Sequence, residues 1–166
     1  MDNQWDASAK IESAIREITQ KINLGIRSRA YRASNELRNA SQEVLRGQRS
    51  GRRYKVPGTY RRQRDKTDGK MKNGRYYTAS APGEAPAVRT GNFRQSWQTK
   101  TEVKMSGEGT TVIASIESSI RTDNGKYLLG EVLEEGTSRM APRPYKEKIQ
   151  QKALPRITRI YREPYL

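Results

Sequence analysis

Ile11, Ile15, Ile18, Ile22, Ile26, Ala30, Ala33, Leu37, Ala40 and Val44 succeed one another at steps of three or four residues. That spacing places them on one stripe and predicts a long helix as the first unit, residues 1–45. At 1.5 Å per residue such a helix reaches about 50 Å, more than a small domain needs, so at least one end is expected to pack on another chain or to project. Gly25 weakens the middle and is the expected place for a bend.

The period changes further on. Trp97, Thr99, Thr101, Val103 and Met105 alternate with Gln98, Lys100, Glu102, Lys104 and Ser106, the two-residue rhythm of a half-buried strand. Gly107-Glu108-Gly109 supplies a turn, and Val112, Ala114 and Ile116 resume the alternation, so Trp97 to Ser118 reads as an antiparallel hairpin. Tyr127, Leu128, Leu129, Val132 and Leu133 have helical spacing and stop at Gly136, a C-terminal cap. Pro142 and Pro144 then lead into Ile149, Ala153, Leu154, Ile157, Ile160 and Tyr161, a second amphipathic helix that Pro155 is expected to kink. The fold class expected is α+β: a long N-terminal helix, an extended basic arm over 46–78, and a core over 79–166 that forms one domain with the helix. In that core a small antiparallel sheet built on a hairpin is packed by a short helix and a C-terminal helix. Trp97, Val103, Val112, Ile116, Leu129, Leu133, Ile149 and Ile157 are the expected core.

The composition narrows function. In 166 residues, 33% are hydrophobic and 31% charged, which suits one modest core plus segments ordered by a partner. The chain has no Cys and no His, which removes disulfides, Cys/His zinc sites and His-dependent nucleophile systems. No basic-then-apolar leader opens the sequence and no stretch approaches a bilayer span, so neither export by a signal peptide nor a membrane partner is expected.

Charge is concentrated. The net charge is +15, and residues 46–76, with twelve basic and two acidic side chains, carry +10 of it. Arg49, Arg52, Arg53, Lys55, Arg61, Arg62, Arg64, Lys66, Lys70, Lys72 and Arg75 are the candidate partner or DNA contacts. Gly and Pro break up the stretch and no apolar period survives, so it reads as a loop or arm. Tyr54, Tyr60, Tyr76 and Tyr77 lie among the basic residues, a mixture that contacts phosphates and stacks on bases. An acidic neighbouring subunit would satisfy the same charge, and both readings stand.

Catalytic chemistry has little to work with. There is no Gly-rich loop with Gly-Lys-Ser/Thr and no dinucleotide fingerprint. Asp65 with Asp68, and Glu131 with Glu134 and Glu135, are the carboxylates nearest to a cation site, but the first pair lies in the basic loop and the second set reads as the solvated face of a short helix. No cofactor, no metal and no enzymatic activity are expected.

The segment Ala79-Ser80-Ala81-Pro82-Gly83-Glu84-Ala85-Pro86-Ala87-Val88-Arg89-Thr90-Gly91-Asn92-Phe93-Arg94-Gln95-Ser96-Trp97 enforces an extended approach through Pro82, Gly83 and Pro86. Thr90 then offers an N-cap, and Phe93 and Trp97 an apolar insertion. Its wording resembles the tail-completion or neck (head-tail joining) family of tailed bacteriophages, to which the lambdoid minor tail protein Z is related. The matching positions are Pro82, Gly83, Pro86, Thr90, Gly91, Phe93, Arg94 and Ser96. A second match follows in order, an aromatic, a Glu-x-Gly-Thr step and an Arg-Pro-aromatic step, at Tyr127, Glu134, Gly136, Thr137, Arg143, Pro144 and Tyr145. The likeness spans about Ala79 to Ile160, and the long basic arm departs from the compact family pattern. The resemblance implies a non-catalytic α+β subunit of a homo-oligomeric ring, a hexamer or dodecamer. Its partners would be portal-side connector proteins and the tail tube or tail terminator, with genomic DNA in the channel. It would reside in the virion neck or tail top, and in the host cytoplasm during assembly. The alternative is a nucleic-acid-binding protein that grips DNA or RNA with residues 46–76.

Overall fold

A computed structural model of the chain describes residues 3–56, 75–106 and 109–164, with side chains for residues 9–56, 75–104 and 110–164. The apolar stripe forms one helix, α1 (Asn3–Arg46, 44 residues), continuous across Gly25. Two short strands follow, β1 (Arg53–Lys55) and β2 (Tyr76–Thr78). The four-residue helix α2 (Asn92–Gln95) leads into β3 (Gln98–Ser106) and β4 (Gly109–Glu117), and α3 (Leu129–Glu135) and α4 (Lys146–Arg162) close the chain. The fold is α+β, with two separate two-stranded antiparallel sheets.

The hairpin stands where its alternation put it. Thr99 faces Ile116, Thr101 faces Ala114 and Val103 faces Val112 across the ladder. These inward positions are partly covered near Trp97, but toward the turn cover runs out and Val103 is 39% exposed, so Val103 leaves the expected core. A nine-residue strand extends about 30 Å, further than one crossing helix protects. The turn residues Gly107 and Glu108 lie outside the described residues.

The core sits between the C-terminal half of α1, the hairpin and α4. Leu45, Ala40, Ala85, Trp97, Tyr145, Ile149 and Ala153 are buried together, with Leu37, Val44, Phe93, Ile116, Leu133 and Ile157 packed against them half-exposed. Small residues let α1 receive its neighbours closely: Ala30, Ala33, Ser34, Ala40 and Ser41 are almost fully covered. The two serines turn their hydroxyls back on the helix, Ser34 Oγ to Tyr31 O and Ser41 Oγ to Arg38 O, so no polar group is stranded there.

Helix α4 runs antiparallel to α1. Lys152 and Arg156 pair with Glu43, Arg156 also reaches Glu36, and about two turns further on Glu163 takes both arms of Arg32 at 2.5 and 2.6 Å. Just beyond α4, Pro164 O accepts from Arg29 Nη2. Helix α4 continues as one helix through Pro155, which costs a backbone donor on the exposed side.

The stretch expected to be a featureless arm is organised at its base. Arg53 pairs with Thr78, Tyr54 with Tyr77 and Lys55 with Tyr76, making a ribbon. Gly51 starts it because a Cβ there would lie 2.6 Å from Ala79 O. No apolar alternation marks these strands since neither face is buried. Residues 57–74, including Arg61, Arg62, Arg64, Lys66, Lys70 and Lys72, lie outside the described residues.

Candidate functional site

The two segments that carry the resemblance meet at one aromatic cluster. Phe93 and Trp97 come from the first and Tyr145 from the second, and their rings lie mutually edge-on with centroids 5.6 to 5.8 Å apart. Tyr145 is 1% exposed and donates its hydroxyl to Gly130 O at 3.1 Å, and burial pushes its phenol well above the ordinary tyrosine range. Gly130 leaves room for that hydroxyl, because a Cβ would stand 2.7 Å from it.

Most of the remaining motif residues have a local task. Gly83 turns the chain with φ 77°. Glu84 accepts from Ser50 N, Ser50 Oγ and Ala81 N, and these donors lower its carboxyl to about 2. Pro86 O receives the Arg49 guanidinium at 2.9 and 3.2 Å. Thr90 does not cap α2: Gly91, at φ 91°, takes the cap position, and Thr90 Oγ1 accepts Asn92 N at 3.4 Å. A left-handed backbone there suits glycine and excludes threonine. Ser96 Oγ bonds Phe93 O and lies 2.6 Å from Ser118 Oγ, tying α2 to the end of the hairpin. Tyr127, 57% exposed, closes a small loop with its carbonyl accepting Thr122 N.

The second motif is a lock between α3 and α4. Glu134, expected on a solvated face, instead accepts Tyr145 N at 3.0 Å and Lys146 N at 3.3 Å, so its carboxylate covers free donors at the start of α4. Gly136 has φ 78°, and a Cβ there would meet Met140 O at 2.6 Å. Thr137 and Met140 exchange two backbone bonds, Arg143 N returns to Leu133 O, and Pro144 delivers Tyr145 to the cluster.

Beside the cluster opens a cleft of about 650 Å³. Phe93, Leu129 and Leu133 are among its apolar lining residues, and Arg89, Arg94, Arg121 and Arg143 line it with one carboxylate, Asp123. Sequence reading assigned Arg94 and Arg143 to the two motifs and missed the convergence of the four, which lie up to 54 residues apart and share no local pattern.

The basic candidates divide. Arg49 belongs to the fold: half-buried, it donates to Val44 O, Gly47 O, Gln48 O and Pro86 O and so covers the carbonyl end of α1, with burial lowering its guanidinium from the usual value. Arg52, Arg53, Lys55 and Arg75 are exposed on or beside the ribbon. There Tyr54 stacks on Tyr77 at 5.8 Å, Arg53 lies 4.5 Å over the Tyr76 ring and Arg52 lies 5.8 Å from that of Tyr54.

Among the described residues no cluster of three or more acidic side chains could hold a metal ion, and no helix is long and apolar enough to cross a membrane. Compared with known protein families, curated proteins and solved structures, the chain matches none.

Proposed function

We propose that this chain is a structural subunit of a tailed-bacteriophage neck, a tail-completion or head-tail connector protein that assembles as a homo-oligomeric ring between portal-side connectors and the tail tube or terminator, and that it performs no catalysis. The observation that carries the reading is the use made of the two resembling segments. Most of their residues serve caps, turns and the Phe93, Trp97 and Tyr145 cluster, with Arg94 and Arg143 on the neighbouring cleft, which is how a sequence motif looks when it specifies a subunit's shape. A basic ribbon and an uncovered half-helix then supply surface for neighbours. Negative-stain images of the purified protein should show closed rings, and an antibody against the chain should mark the neck of intact particles. Absence of the chain from purified particles overturns the proposal.

A second reading, nucleic-acid binding, is favoured by the ribbon. A two-stranded ribbon fits the major groove, and the exposed Arg52, Arg53, Lys55 and Arg75 beside Tyr54 and Tyr76 offer phosphate and stacking contacts. This reading requires an affinity for random-sequence duplex DNA that falls steeply with salt. The two readings coexist if the ribbon faces a channel through which the genome passes.

A further inference from the structure

Helix α1 is far longer than the body that holds it. Arg29 is still tied to the C-terminal segment through Pro164 O, whereas every side chain described from Ala9 to Lys21 is exposed. On this free half Ile11 is 60%, Ile15 58% and Ile18 46% exposed, and Ile22 is half-covered. Isolated exposed aliphatic residues need no explanation, but an uninterrupted row of four on one face does.

The row has the spacing of a coiled-coil seam. Ile11, Ile15, Ile18 and Ile22 lie four, three and four residues apart, which places Ile15 and Ile22 at a and Ile11 and Ile18 at d of a heptad. Ala14, at g, widens the apolar face. Isoleucine at both a and d disfavours two-stranded packing and suits three or more helices.

Charge selects the occupant. Residues 10–21 hold three basic and two acidic side chains, a net of +1 in a chain of +15, and Arg16 pairs with Glu12 and Lys21 with Glu17 within the helix. An acidic partner gains little here and would be drawn to the basic ribbon. A second copy of this strongly basic chain, repelled elsewhere, meets this segment with little repulsion and presents the same isoleucine row.

We infer that the free half of α1 packs through Ile11, Ile15, Ile18 and Ile22 against the same row on neighbouring copies, forming a bundle of three or more helices. The inference deepens the proposed function by naming the surface where copies meet, and it rests on that reading only in requiring that copies associate.

The test compares the full-length protein with the double variant Ile15→Ala, Ile18→Ala by sedimentation over a range of concentrations. Alanine is a better helix former than isoleucine, so the helix persists, and far-UV circular dichroism checks that it does. The wild type should form oligomers of three or more copies, and the variant should associate more weakly by about a hundredfold or more, from the apolar area lost per copy. Leu24→Ala, which removes a side chain 66% exposed on the opposite face, should assemble as the wild type does. Wild-type oligomers unaffected by Ile15→Ala, Ile18→Ala overturn the inference and leave the ring intact through another surface. A wild type that is monomeric at every concentration also overturns it, and antibody labelling of particles then decides the neck reading separately.

Discussion

Glu84 shows how one side chain holds two distant segments together. Its carboxylate is the acceptor for Ser50 and Ala81, and its folded-state value of about 2 lies below the ordinary 4.5. Because the folded value is depressed, the stability it contributes is complete above the ordinary value and is lost as pH falls from about 4.5 toward 2. Glu84→Gln should therefore lower the thermal midpoint at neutral pH and flatten its decline between pH 5 and 2, as followed by calorimetry across that range. A wild-type slope in the variant would assign the acid sensitivity to other carboxylates. Tyr145 acts through its hydroxyl as well as its ring: Tyr145→Phe leaves the aromatic cluster but removes the bond to Gly130 O, at a cost of about 1 kcal/mol in chemical denaturation. Leu133, half-exposed, belongs at the low end of core truncations, and Leu133→Ala should cost about 2 kcal/mol.

Among the elements, α1 divides into a half that folds the body and a half that does not. The small residues from Ala30 to Ser41 lie under α4 and the hairpin, whereas side chains 9–21 touch no other element closely enough to be covered. Removal of residues 1–21 should thus leave the unfolding transition of the monomer within about 0.5 kcal/mol of the full chain, the range of changes away from packed features. A larger loss in denaturant melts at low protein concentration would mean that the free half supports the body. The hairpin and both later helices were legible because their apolar positions recur with period two or with helical spacing. The ribbon was not: Arg53, Tyr54 and Lys55 are all exposed, so burial imposed no alternation for the eye to find. The exclusion of Val103 and the recruitment of Glu134 were equally hidden, since each depends on which element ends where.

For the molecule as a whole, charge and apolar surface are kept apart. The ribbon carries basic and aromatic side chains at one place, and the isoleucine row lies on a nearly neutral segment of α1 at another. Reversing Arg52, Arg53 and Arg75 to Glu should leave the thermal transition close to the wild type, because all three are exposed. The same change should reduce any binding to duplex DNA and shallow its salt dependence, measured by fluorescence anisotropy at several salt concentrations. Unchanged affinity and slope would remove the ribbon from the nucleic-acid reading.

The residue pattern by itself determined the α+β class, the long helix, the hairpin and the excess of positive charge, because each of these is local or additive along the chain. Tertiary structure decided the rest. It turned Arg49 inward as a helix cap, placed Gly91 and not Thr90 at the start of α2, and brought Phe93, Trp97 and Tyr145 into one cluster. It also gathered Arg89, Arg94, Arg121 and Arg143 around one cleft. Those outcomes depend on which carbonyls, faces and loops become neighbours after the chain closes on itself, and a spacing rule that looks only a few residues ahead carries no information about partners dozens of residues away.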